Sequence, residues 1–244
     1  MIRLENLSKV YGDTKAVSGL DLHVPAGELF GFIGPNGAGK TTTIRMVGGL
    51  LAPSGGRVII DGIDMARDPE TAKRRIGLIP DRPFLYEKLT AMEFLKFTAD
   101  LYQVEKNGWR QRAEGLLAMF VLDDRAHELI ESFSHGMKQR LIMAAALLHQ
   151  PPLLIVDEPM VGLDPRGIRM VRHLFRELAA AGTTIFMSTH TLKLAEDICD
   201  RIGIINAGRL IATGTIDQLK EAARVGAADL EAAFLTLTAG ADEP

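Results

Sequence analysis

The sequence is poor in cysteine, because Cys199 is the single one among 244 residues. One cysteine cannot close an internal disulfide, and it cannot supply the group of thiolates that a cysteine-rich zinc site needs. We therefore expect neither kind of cross-link. This cysteine usage fits a reducing compartment.

Long apolar runs are also missing. The longest apolar segments, LIMAAALL and PPLLIV, are separated by His149 and Gln150 and are interrupted by prolines. A membrane-crossing helix needs roughly 20 apolar residues, and the first twelve residues lack the basic and apolar regions of a signal peptide. We expect a soluble chain, for which any membrane crossing belongs to another polypeptide.

An excess of positive charge is absent as well. Lysine and arginine number 28 against 31 aspartates and glutamates, which gives a net charge of -3. Proteins that neutralise nucleic-acid phosphates usually carry the opposite balance. We therefore expect no nucleic-acid partner. The length suits one large α/β unit with an insertion.

Short apolar segments separated by glycine and proline turns predict an α/β fold. The later segments are apolar almost throughout, which is typical of strands buried on both faces of a sheet. The predicted strands are IRLENL, AVSGLDLHV, ELFGFI, RVIIDG, IGLIP, LLIVDE, TTIFMST and the hairpin RIGIINAGRLIA, and the predicted helices among them are TTTIRMVGGLL and DPETAKRR.

A helical pattern fills most of the chain between Pro80 and Leu153, with Thr90 and Glu93 in a capping-box spacing before FLKFTADLY. A crossover between parallel strands needs only about a dozen residues. We therefore predict a helical subdomain at about residues 82–150, inserted in a domain of residues 1–214. A C-terminal tail, residues 215–244, is predicted to hold the helices TIDQLKEAAR and ADLEAAFLTL.

The segment GPNGAGKTT, residues 34–42, follows the strand ELFGFI and opens a helix, as a P-loop does. Glycines let backbone N–H groups surround phosphate oxygens, while Lys40 reaches the terminal phosphates and Thr41 offers a hydroxyl to Mg²⁺. An ordinary glycine-rich turn is the less favoured alternative. The predicted nucleotide-binding residues of this loop are Asn36, Gly37, Ala38, Gly39, Lys40, Thr41 and Thr42.

Polar residues follow two of the predicted buried strands. Asp157 and Glu158 end LLIVDE, and His190 follows TTIFMST. Each is common at a strand end for structural reasons, but beside a P-loop Asp157 can hold Mg²⁺ and Glu158 can orient or deprotonate an attacking water. On the same sheet His190 could reach the γ-phosphate. Tyr11, an aromatic in a turn, is usually a packing residue but could stack on a base.

A second anion site is predicted at FSHGMKQRL, residues 133–141, where Ser134 can cap a helix. A capped helix start offers free N–H groups and a partial positive charge to an anion. The spacing alone does not say whether this site and the P-loop hold the same nucleotide within one chain.

The order Tyr11, GPNGAGKTT, FSHGMKQR, LLIVDEP, VGLDP, STH resembles that of the ATP-binding-cassette (ABC) ATPases, the nucleotide-binding subunits of ABC transporters, over residues 1 to about 215. The resemblance implies an α/β P-loop NTPase fold of ABC type, with a mostly parallel core sheet, an N-terminal antiparallel β part and an inserted helical subdomain. It also implies hydrolysis of ATP with Mg²⁺ as cofactor.

By this resemblance, Ser134 and Gly136 would hold the γ-phosphate bound to the P-loop of a second copy, so that a homodimer encloses ATP. The loop of Gly162, Leu163 and Asp164 would cross the dimer seam. The remaining implied roles are adenine stacking by Tyr11, phosphate binding by Lys40 and the P-loop backbone, Mg²⁺ binding by Thr41 and Asp157, general-base catalysis by Glu158, and contact of His190 with the γ-phosphate.

Three positions depart from the family pattern. Asp81 stands in place of the usual glutamine near the metal and the attacking water, and we retain it among the nucleotide-site residues. His135 replaces a glycine, and Met137 stands where glutamine is common. We still expect an active ATPase.

The resemblance implies a subunit that energises transport, from the exporter branch, bound to an integral-membrane permease on the cytoplasmic face. Residues 81–89 are the predicted permease contact, through Pro83, Phe84, Leu85 and Tyr86. The alternative is that Phe84 and Tyr86 fill the core of the helical subdomain. Two other functions stay open, an ABC-type ATPase that acts on nucleic acid or ribosomes and a nucleotide-dependent interaction module without turnover.

Overall fold

Two β-sheets and the helices around them make up the fold in a computed structural model, which describes residues 1–82, 84–225 and 230–239. The strands are β1 (Ile2–Tyr11), β2 (Thr14–Val24), β3 (Leu29–Ile33), β4 (Gly55–Ile60), β5 (Ile63–Asp64), β6 (Ile76–Ile79), β7 (Leu153–Asp157), β8 (Thr184–Thr189), β9 (Arg201–Asn206) and β10 (Arg209–Gly214). The helices are α1 (Lys40–Val47), α2 (Pro69–Arg74), α3 (Ala91–Leu101), α4 (Trp109–Met119), α5 (His135–Leu147), α6 (Pro165–Ala180), α7 (Leu192–Ile198), α8 (Ile216–Ala222) and α9 (Leu230–Ala239).

A six-stranded sheet forms the centre, in the order β10-β9-β3-β8-β7-β6. All its neighbouring strands pair in parallel except β10, which pairs with β9 in an antiparallel hairpin. β8 lies between β3 and β7, with Ile33 opposite Thr189 and Asp157 opposite Ser188. The carboxyl ends of these three strands therefore reach the same edge of the sheet at the same level.

The second sheet is antiparallel and comes from the first part of the chain, in the order β2-β1-β4-β5. The antiparallel part implied by the family resemblance is thus confirmed. The segment RVIIDG, predicted as one strand, instead enters a tight hairpin at Asp61 and Gly62, where both residues have positive φ (50° and 81°). This backbone suits a two-residue turn between β4 and β5.

The central sheet is buried on both faces, as its apolar strands predict. Along β7, Leu153 and Ile155 pack with the antiparallel sheet and α1, whereas Leu154 and Val156 pack with the helices on the other side. Among the described residues, the two cores are separate clusters of buried side chains. Because side chains alternate along a strand, one continuous apolar run serves both cores.

The chain between β6 and β7 contains α3, α4 and α5. Thr90 caps α3, and the capping box predicted with Glu93 is present, since each residue's side chain accepts a hydrogen bond from the other's backbone N–H. Ser134 caps α5 as predicted, by accepting a hydrogen bond from the backbone N–H of Met137 at 3.3 Å. The limits of a separate helical subdomain stay a prediction.

Some helix limits differ from the sequence expectation. α1 begins at Lys40 and ends at Val47 instead of running to residue 51, because Gly48 and Gly49 close it and Gly49 adopts φ of 67°. Two helices were not predicted from the sequence: α6, which follows β7, and α7, which follows β8. In the predicted tail, α8 and α9 are present, but Ala228 and Asp229, which fall within the second predicted helix, and residues 240–244 lie outside the described residues.

Within the described residues, none of the helices has both the length and the apolar character needed to span a bilayer. This agrees with the short apolar runs in the sequence.

His149 joins the helical region to the edge of the central sheet. Its ring stacks on Tyr102, at the end of α3, with centroids 3.8 Å apart, and its Nε2 lies 3.1 Å from the carbonyl oxygen of Ile76 in β6. Burial lowers the pKa of His149 to about 4, and the Ile76 carbonyl only partly opposes this. The imidazole is therefore neutral in the folded protein at neutral pH.

This burial predicts a specific pH dependence of stability. Below pH 6.5 the unfolded chain binds a proton at His149 that the folded chain does not bind until about pH 4. As the pH falls from 6.5 to about 4, His149 should therefore lower the free energy of unfolding progressively. The loss should reach about 3 kcal/mol at the lower end of this interval. Urea unfolding at a series of pH values should show a smaller loss of stability in that interval for His149→Gln than for the unchanged protein.

The same substitution at His23, which is exposed on β2, controls for the general loss of an imidazole. Parallel pH profiles for His149→Gln and the unchanged protein would contradict this account.

Candidate nucleotide-binding site

The P-loop connects β3 to α1, and two of its glycines are required by close approach of neighbouring backbone. A Cβ on Gly34 would collide with the carbonyl oxygen of Ile205, and a Cβ on Gly39 would lie 2.5 Å from the carbonyl oxygen of Ala16. Gly39 also adopts φ of 107° at the start of α1. The loop is therefore held tightly between β9 and β2, which fixes where its N–H groups lie.

Lys40 is the first residue of α1, and its side chain turns back into the loop. Its Nζ donates hydrogen bonds to the carbonyl oxygens of Gly34 at 2.7 Å and Pro35 at 3.0 Å. Burial lowers the pKa of Lys40, while Glu158 and Asp157 oppose this by favouring the charged form. A positive charge in this position can meet the terminal phosphates of a nucleotide.

Asp157 ends β7 and is almost fully buried. Its Oδ1 accepts a hydrogen bond from the hydroxyl of Ser188, the residue opposite it on β8. Burial raises the pKa of Asp157, while hydrogen bonds from Ser188 and Thr41 act in the other direction and the charge of Asp81 adds to the rise. The Thr41 hydroxyl and the Asp157 carboxylate thus lie together beneath the P-loop.

Glu158 follows Asp157 and turns out of the sheet with φ of 51°, a conformation that costs non-glycine residues roughly 1–3 kcal/mol. Its carboxylate lies 2.8 Å from Nδ1 of His190 and accepts a hydrogen bond from the Thr189 hydroxyl at 3.3 Å. When Nδ1 carries the proton of that contact, Nε2 is left for another partner. The strained backbone and these contacts hold the carboxylate beside the P-loop.

One cleft brings most of the predicted residues together. Its lining comprises Asn36, Gly37, Gly39, Lys40, Thr41, Thr42, Asp81, Glu158 and His190, all of which had been predicted, and also Ala16 and Val161, which had not. Asp157 lies buried next to Thr41, and Ala38 is buried with its carbonyl oxygen bonded to Gly208. Pattern reasoning missed Ala16 because a small residue inside a strand carries no chemical signal.

Tyr11 lies outside that lining. It ends β1 opposite Thr14, is 47% exposed, and has the Lys9 ammonium 5.3 Å from its ring centroid. The exposed ring is available for stacking, so its role in binding adenine stays a prediction.

Ser134, Gly136 and Asp164 line a different cleft, together with His135, Arg140, Gly162 and Arg166. α5 and α6 both begin here, since Ser134 caps α5 and Asp164 caps α6 by accepting a hydrogen bond from the N–H of Gly167 at 2.7 Å. The His135 ring packs against Gly162, which has φ of 79° and no room for a Cβ. Among the described residues, this cleft and the P-loop cleft have no lining residue in common.

A short loop connects the two clefts. It leaves β7 at Glu158 in the P-loop cleft, and by Gly162 it lines the second cleft. Two hydrogen bonds stiffen it, from the N–H of Val161 to the carbonyl of Glu158 at 3.2 Å and from the N–H of Leu163 to the carbonyl of Met160 at 3.3 Å. The two clefts are therefore joined by a short, hydrogen-bonded segment of the chain.

Comparison with known families agrees with this geometry. A family model described as ABC transporter matches residues 17–161, more than half of the chain. The chain belongs to the ABC transporter family.

Relatives and solved structures give the same result. The linearmycin resistance ATP-binding protein LnrL of Bacillus subtilis is 40% identical over 215 residues, which cover 88% of this chain and 69% of that protein. A solved ATP-binding subunit of an ABC transporter superposes with a TM-score of 0.93 at 37% identity, covering 97% of this chain and 99% of that one. A dimeric ATP-binding cassette in a post-hydrolysis state, bound to ADP and phosphate, superposes with a TM-score of 0.81 at 28% identity, covering 88% and 98%.

The chain is thus an ATP-binding subunit and an ATPase, and the predicted ABC-type fold is confirmed. The contacts of Ser188 and Thr189 could not be predicted from the sequence, although both residues directly precede His190. Only the pairing of β7 with β8 sets them next to Asp157 and Glu158.

The two glycines Gly37 and Gly39 offer a matched test of the P-loop. Both have positive φ, but a Cβ on Gly37 would meet nothing within 4 Å, whereas a Cβ on Gly39 would meet the backbone of Ala16. Gly37→Ala should cost nucleotide-free protein about 1 kcal/mol of unfolding free energy, and Gly39→Ala clearly more, because a backbone collision adds to the strain. Urea unfolding measures both, and equal losses would show that the close approach is unimportant.

Proposed function

We propose that two copies of this chain enclose ATP between them, and that its hydrolysis drives export through a separate integral-membrane permease. The observation that carries the proposal is the presence of two distinct clefts on one chain. The P-loop cleft holds phosphate-binding and carboxylate groups, while the Ser134 cleft presents two helix N-termini. The binding site for a nucleotide held in the P-loop cleft of one copy would be completed by the Ser134 cleft of the second copy.

The similar dimeric cassette supports this arrangement, because that protein was solved as a dimer with ADP and phosphate. The connecting loop of residues 158–164 supports it as well. It carries Glu158 at one end and Asp164 at the other, so each copy would sense the nucleotide of both sites.

The residues present fit a bound Mg²⁺. The Thr41 hydroxyl and the Asp157 carboxylate are neighbouring oxygen donors, and Mg²⁺ in nucleotide sites takes one or two protein oxygens together with phosphates and water. Among the described residues, no group of three or more histidine, cysteine, aspartate or glutamate side chains forms a metal cage, which agrees with such a shared site. When bound, the ion would offset negative charge on the phosphates.

Glu158 is the proposed general base. Its carboxylate lies in the cleft beside Lys40 and accepts a hydrogen bond from Thr189, so it is positioned to take a proton from water as oxygen attacks the γ-phosphorus. His190 would orient this carboxylate by donating from Nδ1, and in its protonated form it would also donate from Nε2 to the γ-phosphate. The proposed role of Lys40 is to neutralise the phosphate charge that develops.

Asp81 lies in the same cleft, where the family more often has glutamine. Its carboxylate disfavours ionisation of Asp157, so the two charges lie near each other. We retain Asp81 as a nucleotide-site residue that adds negative charge near the metal-binding oxygens.

The proposed direction, export, is supported by the similarity to LnrL, which is named for resistance to linearmycin.

The proposed permease contact is an exposed aromatic patch of Phe84, Tyr86 and Phe97. Phe84 is 81% exposed, and Tyr86 packs edge-on against both other rings. Such a patch fits an apolar segment of a partner better than the alternative of a core position. Pro83, also predicted here, lies outside the described residues. Through the permease, the chain would work at the cytoplasmic face of the membrane.

Removal of the proposed base tests the enzymatic part. Glu158→Gln keeps the size of the side chain but cannot accept the proton, so ATP turnover should fall about a hundredfold or more. ATP binding should persist, because Lys40 and the loop are unchanged. Phosphate release and nucleotide affinity of the purified protein measure the two effects.

The same variant tests the dimer. With hydrolysis blocked, ATP should convert monomer to dimer in light scattering, and adding Ser134→Arg should prevent this by filling the second cleft. A protein that stays monomeric at every ATP concentration would contradict the proposed sandwich, and unaltered phosphate release would contradict the assignment of Glu158.

A further variant tests the permease contact. Phe84→Asp places a charge in the aromatic patch and should greatly reduce co-purification of the chain with its membrane partner from solubilised membranes. Leu50→Asp is the matched control, because Leu50 is an exposed apolar residue (65%) that follows α1 and is not part of the patch. Thermal unfolding should first show that both variants are folded. If the two folded variants then recover equal amounts of the membrane partner, the aromatic patch is not the permease contact.

A further inference from the structure

The second cleft collects positive charge from two helix N-termini. The N-termini of α5 and α6 both open into it, and each brings a partial positive charge. Neither helix has an acidic residue in its first turn to offset that charge. The carboxylate of Asp164 is present, but it accepts the N–H of Gly167 as the cap of α6.

Two arginines add to this positive charge, in different ways. Arg140 is half-buried and donates to the carbonyl oxygens of Phe120 at 2.9 Å and Gly136 at 3.3 Å, so it holds the start of α5 in place. Arg166 is exposed, and its side chain has no ion pair and no hydrogen bond among the described residues. Its guanidinium is therefore free to meet an anion from outside the chain.

Arg166 also stands where a cation is locally unfavourable. It is in the first turn of α6, next to Pro165, and a positive side chain there opposes the helix dipole. Residues that break a local preference are found most often where function requires them. The position is otherwise open to a neutral or acidic residue, which would suit the helix better.

The P-loop cleft has the opposite charge. Asp81 and Glu158 line it and Asp157 lies just behind, whereas Lys40 is its one lysine or arginine among the described lining residues. Bound ATP would make this cleft more negative still. Two surfaces of one chain therefore carry complementary charge, and they can meet only when two copies face each other.

We propose that Arg166 is an interface residue that docks against the acidic, ATP-loaded P-loop cleft of a second copy. This inference rests on the proposed ATP-enclosing dimer and names a residue that stabilises it. Arg166 contributes by long-range attraction as well as by contact, so it makes association fast and sensitive to salt. The occupant of the second cleft is the nucleotide-bearing face of another copy, and no other protein is required.

The test uses the 244-residue chain with Glu158→Gln, in which ATP-dependent dimers should accumulate. Adding Arg166→Ala should raise the dimer dissociation constant about tenfold, because a symmetric dimer loses one charged contact at each of its two nucleotide sites. Its dependence on salt concentration should become shallower. Arg166→Lys should retain most of the affinity, and Arg166→Glu should weaken the dimer further while the thermal midpoint of the monomer stays equal or rises.

Arg169 provides the matched control, because it is an exposed arginine on α6, one turn further along, that does not line the cleft. Arg169→Ala should leave the dissociation constant unchanged, and fluorescent ATP should bind every variant monomer equally. If Arg166→Ala and Arg166→Glu dimerise like the parent, or if Arg169→Ala weakens dimers as much, the inference is wrong. If the parent Glu158→Gln protein never dimerises with ATP, the proposed dimer itself fails.

Discussion

Parallel pairing of β3, β8 and β7 is the constraint on which the whole site depends. Residues from three distant parts of the chain become neighbours because parallel strands in register end at the same sheet edge. The P-loop, the Asp157–Glu158 pair and His190 each follow one of these strands. Burial of the sheet on both faces fixes this register, because a shift by one residue would exchange the side chains that face the two cores.

Buried charge and backbone strain concentrate at that edge. Lys40 and Asp157 are both buried, and burial disfavours the charged form of each, so that the pKa of Lys40 is lowered and that of Asp157 is raised. Glu158 adopts a left-handed backbone that the surrounding contacts must hold. These features cost stability in the isolated chain, and they suit a site where phosphates and a metal ion supply the missing charges.

The separation of the two clefts on one chain is the basis of the proposed dimer. In the proposed dimer, each nucleotide site takes the P-loop cleft of one copy and the two helix N-termini of the other. The loop between Glu158 and Asp164 ties the two sides together. Coupling of ATP to a permease would then follow from opening and closing of this interface, transmitted to the exposed aromatic patch of Phe84, Tyr86 and Phe97.

Sequence alone determined the local chemistry of this protein. The P-loop glycines, the helix caps at Thr90 and Ser134, and the buried strands follow from short-range rules that neighbours in the chain obey. Tertiary structure decided which of these features meet. It placed Ser188 under Asp157, Ala16 against Gly39 and Arg166 beside Ser134, and it left Tyr11 outside the cleft lining. Such contacts join residues far apart in the chain through strand order and register, which no local pattern encodes.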